Sequence, residues 1–367
     1  MKRTIRATPG ARSTRTQHDV GVSIASIAHM GGLWARGLVD VTHDLTALDG
    51  SGRWAVAIPY SGAPVCARFS SWSTAPIAGD VGRWQGPSVQ DWRTSLDEAA
   101  YVAAVEVTRQ AIAAGTVYQA NVCRVLSADL PEPQAADIAG LAALLEAGNP
   151  APYAGFLRLP GVGVGIACAS PELFLSSSPT AQGRLVRSGP IKGTGRTAAD
   201  LTDKDVAENI MIVDLVRNDL SRVSQPGSVT VPELLEVQEH PGLVHLVSYV
   251  EGVLTPETRW PDLIEATFPP GSVTGAPKLS ALDLIAALEP ADREFYCGAF
   301  GWVDADSGEA CLAVAIRTFW LSDGVLRFGT GAGITWGSDP HAEWRETELK
   351  AARLVEVAAG TWQGDGS

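Results

Sequence analysis

Segments of strand character come in clusters along this chain, and helical segments fall between the clusters rather than after each strand. That order argues against a repeating strand–helix–strand unit, and so against a parallel sheet wrapped by crossover helices. Asn121–Leu126, Gly163–Ala169, Arg184–Ser188, Val244–Leu254, Ala299–Asp304, Cys311–Trp320 and Val325–Thr330 read as strands. Ser95-Leu96-Asp97-Glu98 reads as a capping box opening a helix through about Ala114, with Gly115 ending it. Asp203–Leu220 carries Val206, Ile210, Val213 and Val216 at mixed spacings of three and four, a helical period. Ser338-Asp339-Pro340 starts a further helix, with Pro at its first position, running to about Ala359. The expected class is α+β, with antiparallel or mixed sheets covered by helices. Before about residue 94, Gly, Pro and Ser interrupt short apolar runs such as Trp54–Pro59. Residues 1–94 therefore read as a short strand-rich region packing on a main domain over 95–362.

Composition narrows the function. A chain of 367 residues, 46% hydrophobic and 19% charged, can bury a large core. Its net charge of −13 argues against a nucleic-acid partner, because phosphate backbones attract basic surfaces. An acidic protein that binds an anionic metabolite needs local cations, backbone N–H groups or a metal. Five cysteines, with no CxxC pair, argue against a disulfide framework or a zinc ribbon and fit a reducing, cytoplasmic setting. No apolar run reaches the roughly 18 residues of a membrane span. Residues 1–17 hold Lys2, Arg3, Arg6, Arg12 and Arg15 without an acid. They lack the apolar core of a secretory signal and read as a frayed tail, with a targeting peptide as the other reading.

Two helices carry acids at i,i+3: Asp205 with Glu208, and Glu343 with Glu346. That spacing puts each pair on one helix face. Two such faces could converge on a hard divalent cation, although exposed acids on helices are the norm. Gly189–Thr194, Pro270–Lys278 and Gly329–Gly333 are Gly-bearing segments whose backbone N–H groups could meet an anion, or ordinary tight turns. Pro277 reads as the first residue of a helix. Lys192 lies between Pro190-Ile191 and Gly193-Thr194. Held near apolar groups, its amine would act as a nucleophile; otherwise it is a surface lysine in a turn. Glu172 follows Ser170-Pro171 at a strand end, where a carboxyl could serve as a general acid or simply face solvent. Arg317 sits in the apolar run Val314–Phe319, where an arginine often grips a carboxylate. His245 lies among Leu243, Val244, Leu246 and Val247 and reads as a satisfied core residue as readily as a catalyst. No GxSxG or HExxH motif appears.

The same segments, in this order, resemble the chorismate-utilising enzymes: anthranilate synthase large subunits, aminodeoxychorismate synthase component I, isochorismate synthases and salicylate synthases. The resemblance rests on Tyr118–Asn121, Ser170-Pro171-Glu172-Leu173-Phe174, Pro190–Thr194, Ala207–Leu220, Thr267–Lys278, Ala315–Thr318 and Gly331–Thr347. It covers about residues 95–355. It implies the large two-sheet sandwich of anthranilate synthase component I, with helices outside and the site between the sheets. It also implies Mg²⁺ bridging protein carboxylates and the ring carboxylate of chorismate. Carried over by position, Glu208 and Glu346 would be metal ligands, with Asp205 and Glu343 beside them. Arg317 and Tyr296 would hold the enolpyruvyl carboxylate. Backbone N–H groups around Gly331 and Gly333, with Thr274 and Thr194 near, would contact the substrate. His245 is expected in either branch of the family.

Two positions discriminate among the reactions. Isochorismate and salicylate synthases carry a lysine base where this chain has Gln119, so activation of water is disfavoured. Anthranilate synthases usually have a small residue where this chain has Lys192, and Pro-Ile-Lys-Gly-Thr resembles aminodeoxychorismate synthase component I. The resemblance therefore implies amination of chorismate through a covalent lysine intermediate, with Glu172 as acid. It also implies ammonia from a class I glutamine amidotransferase partner. The product would be 4-amino-4-deoxychorismate, for 4-aminobenzoate and folate or a secondary metabolite. Anthranilate synthase component I is the enzymatic alternative, and a degenerate regulatory chorismate-binding subunit the non-enzymatic one.

Overall fold

The computed structural model describes residues 25–195, 197–240 and 243–362. The basic stretch 1–17 and Arg196 lie outside them. The first part of the chain runs β1 (Ile27–Met30), β2 (Leu33–Thr42), β3 (Arg53–Ile58), β4 (Val65–Ser73), β5 (Arg93–Thr94), α1 (Glu98–Ala113), β6 (Gln119–Asp129) and α2 (Ile138–Gly148). Five strands follow, β7 (Tyr153–Leu159), β8 (Val164–Ser170), β9 (Leu173–Thr180), β10 (Gly183–Gly189) and β11 (Ile191–Gly195), and then α3 (Asp203–Ser221). Next come β12 (Thr230–His240), β13 (Leu243–Val253), α4 (Trp260–Thr267), β14 (Gly275–Ala276) and α5 (Lys278–Leu288). The last part holds β15 (Ala299–Asp304), β16 (Glu309–Val314), β17 (Thr318–Ser322), β18 (Val325–Ile334) and α6 (Pro340–Ala359).

Among the described residues every strand pairing is antiparallel, and the pairings link the 18 strands into one continuous sheet. One arm follows β6–β18–β17–β8–β7–β1. The β1–β2 hairpin leads into the second arm, β2–β4–β3–β15–β16–β9–β10–β13. Strands β10 and β11 lie end to end along one edge of β13, and β12 takes the other edge. Side chains alternate faces along a strand, and the core shows that period. Cys123 and Val125 of β6, Ile166 and Cys168 of β8 and Trp320 of β17 join a core shared with Val56, Ala67, Leu175 and Leu312 of the second arm. The intervening Leu126, Ala167, Ala169 and Phe319 instead pack with Leu141 and Leu145 of α2 and Leu354 and Val355 of α6. The two arms thus face one another across one core, and helices cover the outer face of the first arm.

Four local readings of the sequence differ from the structure. The N-cap of α1 is Asp97, whose carboxylate accepts from Ala100 N at 2.9 Å. Ser95 Oγ is engaged elsewhere, accepting from Val125 N at 2.9 Å. Helix α5 starts at Lys278, with Pro277 as its N-cap. The Gly189–Thr194 turn is largely strand: Pro190 interrupts the edge, and the chain resumes as β11. The run Cys311–Trp320 is two strands, and Arg317 lies in the break between them with φ +51°.

Candidate active site

A cavity of about 520 Å³ opens where the break between β16 and β17, the strands β11, β13 and β18, and the helices α3 and α6 meet. Helix α3 begins at Thr202, whose hydroxyl accepts from Asp205 N at 3.2 Å while the Asp205 carboxylate accepts from Thr202 N at 2.8 Å. That box fixes the first turn, and Glu208 follows one turn on, lining the same cavity. Helix α6 begins at Asp339 with Pro340 next, and presents Glu343 and Glu346 from the opposite side.

Lys204 and Lys350, two of the lysines lining the cavity, pair with these acids. Lys204 Nζ lies 3.4 Å from Glu343 Oε1 and 3.7 Å from Glu208 Oε1, joining α3 to α6. Lys350 Nζ lies 2.6 Å from Glu346 Oε1 and donates to the Gly331 carbonyl at 3.1 Å. Glu343 is buried, and Glu208 Oε1 is buried without a hydrogen-bond partner among the described residues. Burial raises the Glu208 carboxyl above its usual range, opposed by Lys192 and Lys204. Among the described residues, no three acidic, histidine or cysteine side chains converge into a metal cage as they stand. The donor set nevertheless fits a hard divalent cation: all carboxylate, on two facing helices, with one buried oxygen, Glu208 Oε1, accepting no hydrogen bond among the described residues.

Lys192 projects from β11, and its Nζ donates to the Ser272 carbonyl at 3.1 Å. Asn121 Nδ2 donates to the same carbonyl at 2.8 Å. Burial lowers the Lys192 pKa, while Glu208 and Glu172 oppose the shift. Glu172, in the link between β8 and β9, is 4% exposed. Burial pushes its carboxyl up to about 7, against a Ser272 hydrogen bond and the Lys192 charge. His245 of β13 is buried and lines the cavity, opposite Thr194 in the β11–β13 register.

Arg317 and Tyr296 line the cavity on another wall. Burial lowers the Arg317 pKa, and among the described residues no carboxylate pairs with its guanidinium. Along β18 the residues facing Tyr296 and Lys192 are glycines. A Cβ at Gly329 would overlap the Tyr296 ring, and one at Gly333 would fall 2.9 Å from Asn121 Oδ1 and 3.4 Å from Lys192 Nζ. The Gly331 carbonyl meets Lys350, so its backbone polar groups face away from β6. In an antiparallel ladder the N–H of a residue points to the same side as its carbonyl. The Gly331 N–H, and that of Gly333 two residues on, therefore face the open edge beyond β17.

Thr274 is the sequence-derived candidate that the structure keeps out of the cavity. It is fully buried, and its hydroxyl donates to the Pro270 and Gly271 carbonyls at 3.1 and 3.3 Å. Ser272 and Val273 form that wall instead. The two lysines paired with the acids were not singled out from the sequence. Their i,i+4 spacing, Lys204 to Glu208 and Glu346 to Lys350, was the available signal. The Ser272 contribution is a backbone carbonyl, for which no side-chain pattern exists.

The chorismate binding enzyme family matches residues 83–356. The chain is 40% identical over 315 residues to an anthranilate synthase component 1 of Streptomyces coelicolor, covering 81% of this chain and 59% of that protein. It is 36% identical over 266 residues to an aminodeoxychorismate synthase component 1 of Bacillus subtilis, covering 69% of this chain and 54% of that protein. The chain thus spans a little over half the length of these curated relatives. Anthranilate synthase component I of Streptococcus pneumoniae superposes with a TM-score of 0.73 at 23% identity, covering 93% of this chain and 95% of that one. The menaquinone-specific isochorismate synthase of Escherichia coli superposes with a TM-score of 0.74 at 18% identity, covering 93% of this chain and 92% of that one. These two likenesses give the fold, and the sequence match over most of the chain gives the family. This chain belongs to the chorismate binding enzymes.

Proposed function

We propose that the chain is an aminodeoxychorismate synthase component I, which joins chorismate and ammonia into 4-amino-4-deoxychorismate. The observation that carries this reading is the Lys192 amine, held in the cavity by a carbonyl and lowered in pKa by burial. A shift in this direction moves the amine toward its neutral, nucleophilic form. The amine adds to C2 of chorismate and sheds a proton, both ring double bonds shift by one position, and the C4–oxygen bond breaks. Glu172, kept protonated near neutral pH by its burial, gives its proton to the departing hydroxyl, which leaves as water. Ammonia then attacks C4, both double bonds shift back, and the C2–nitrogen bond breaks, the proton shed by the new ammonium going to the departing lysine amine. Arg317 and Tyr296 grip the enolpyruvyl carboxylate, and the Gly331 and Gly333 N–H groups meet the ring carboxylate. His245, which lies opposite Thr194 in the β11–β13 register, lines the ring's approach to Lys192. Glu208 and Glu346, with Glu343 and Asp205 beside them, would hold Mg²⁺, which supplies charge neutralisation for the ring carboxylate. Ammonia would come from a class I glutamine amidotransferase subunit.

Anthranilate synthase component I is the second reading, favoured by the 40% identity to a relative of that name. Product analysis separates the two. The purified chain is given chorismate, Mg²⁺ and an ammonium salt at alkaline pH. A product that an added lyase converts to 4-aminobenzoate supports the first reading, and fluorescent anthranilate supports the second. If neither forms until an amidotransferase and glutamine are added, the partner requirement is established. No turnover even then would support the degenerate-subunit reading.

A further inference from the structure

The acids of α3 and α6 face one cavity yet do not close into a cage, and a third charge stands between two of them. The Lys204 ammonium lies between Glu343 Oε1 at 3.4 Å and Glu208 Oε1 at 3.7 Å. Its side chain is about half exposed, whereas those of Glu343 and Glu208 are 5% and 12% exposed. Two carboxylates so placed repel each other across the α3–α6 gap unless a cation sits between them. Lys204 supplies that cation from a flexible stem whose head reaches water, so it can swing out without unfolding either helix.

We propose that Lys204 is a built-in counter-ion that competes with the divalent cation for Glu208 and Glu343, and so sets how tightly the metal is held. The inference rests on the metal reading of these carboxylates given above, and it adds a residue acting on that site by exchange. Binding then trades one ammonium for one ion. A cation stands between the two carboxylates at every stage, and the competition lowers metal affinity relative to a site without the lysine. Lys350 stands in the same relation to Glu346, but it is also tied to the Gly331 carbonyl, so its displacement would disturb β18 as well. Lys204 has only carboxylates to release, and is the cleaner exchanger.

The test is calorimetric titration of MgCl₂ into the whole purified chain, without substrate, alongside thermal melts with and without MgCl₂. Lys204→Met keeps the stem and removes the charge. It is expected to bind Mg²⁺ about fivefold more tightly than wild type, which corresponds to about 1 kcal/mol for a partly exposed pair. It should also melt lower than wild type in the absence of Mg²⁺ and recover as Mg²⁺ is added. Lys204→Arg keeps the charge and should bind Mg²⁺ as wild type does. Equal or weaker Mg²⁺ affinity in Lys204→Met overturns the proposal and leaves the metal reading standing. No Mg²⁺ binding by wild type and Lys204→Met alike overturns the metal reading, and this inference with it.

Discussion

Lys192 and Glu172 are buried ionisable groups in one cavity, and burial drives them in opposite directions. It lowers the amine and raises the carboxyl, and both shifts favour the neutral forms. A neutral amine and a protonated acid are the pair that nucleophilic displacement of a hydroxyl requires. For Glu172 the sign is plain: burial pushes its carboxyl up to about 7, and the protonated fraction able to donate shrinks as pH rises past that. At constant free ammonia the rate should fall as pH rises through that value. Glu172→Gln should lose about 10²- to 10⁴-fold in kcat, and the falling limb should disappear from its pH profile. A limb that persists in Glu172→Gln would assign the acid to another group. Lys192→Ala should stop amination and form no covalent adduct detectable by mass spectrometry. Unchanged product and rate in that variant would remove Lys192 from the chemistry.

At the scale of elements, the site depends on how α3 and α6 begin. The start of α6 was legible in Asp339 ahead of Pro340, whereas α3 was placed by its apolar period from Asp203, and its Thr202–Asp205 capping box was a signal left unread. The acids then follow by helical spacing, which put each pair on one helix face; that Glu208 and Glu346 belong together came from the family resemblance. Thr202→Ala removes the hydroxyl that meets Asp205 N and loosens the Asp205 side chain. It should cost about 1 kcal/mol, a drop in Tm of about 1–2 °C for a chain of this size. An unchanged melting temperature would mean that the first turn of α3 is held by packing alone. Strand ends were less legible. Val314 to Phe319 is apolar on both sides of Arg317, so nothing in the composition announces the break, and only a positive φ at a non-glycine residue reveals it. The Gly-Pro and Lys-Gly punctuation around Ile191 reads as a turn, yet the second-arm edge continues through it because β13 is long enough to pair β10 and β11 in succession.

The whole molecule is joined by pairings that no local pattern encodes. Strand β1 meets β7 and β3 meets β15, partners separated by more than a hundred residues, so the order of the 18 strands was out of reach of periodicity. One buried ion pair ties several of these distant pieces together beside the cavity. Arg293 is 2% exposed and donates to both Glu289 oxygens, at 2.8 and 2.6 Å. It also donates to the Val273 carbonyl at 2.9 Å and the Asn121 carbonyl at 3.1 Å, and it lies 4.6 Å from the Tyr60 ring centroid beyond β3. Glu289 in turn accepts from Cys123 N at 2.8 Å. The pair therefore binds β6 to the loop carrying Ser272, the carbonyl that holds Lys192. Removing one partner of a buried pair strands the other charge in a low-dielectric interior. Arg293→Met should accordingly lose about 3–5 kcal/mol in urea denaturation. Removing both charges together does not strand either one, so Arg293→Met with Glu289→Met should be no less stable than Arg293→Met alone. If the double variant instead lost the sum of the two single losses, the pair would be energetically uncoupled. Its hydrogen bonds to Val273, Asn121 and Cys123 would then account for its role separately, each acting on one strand or loop.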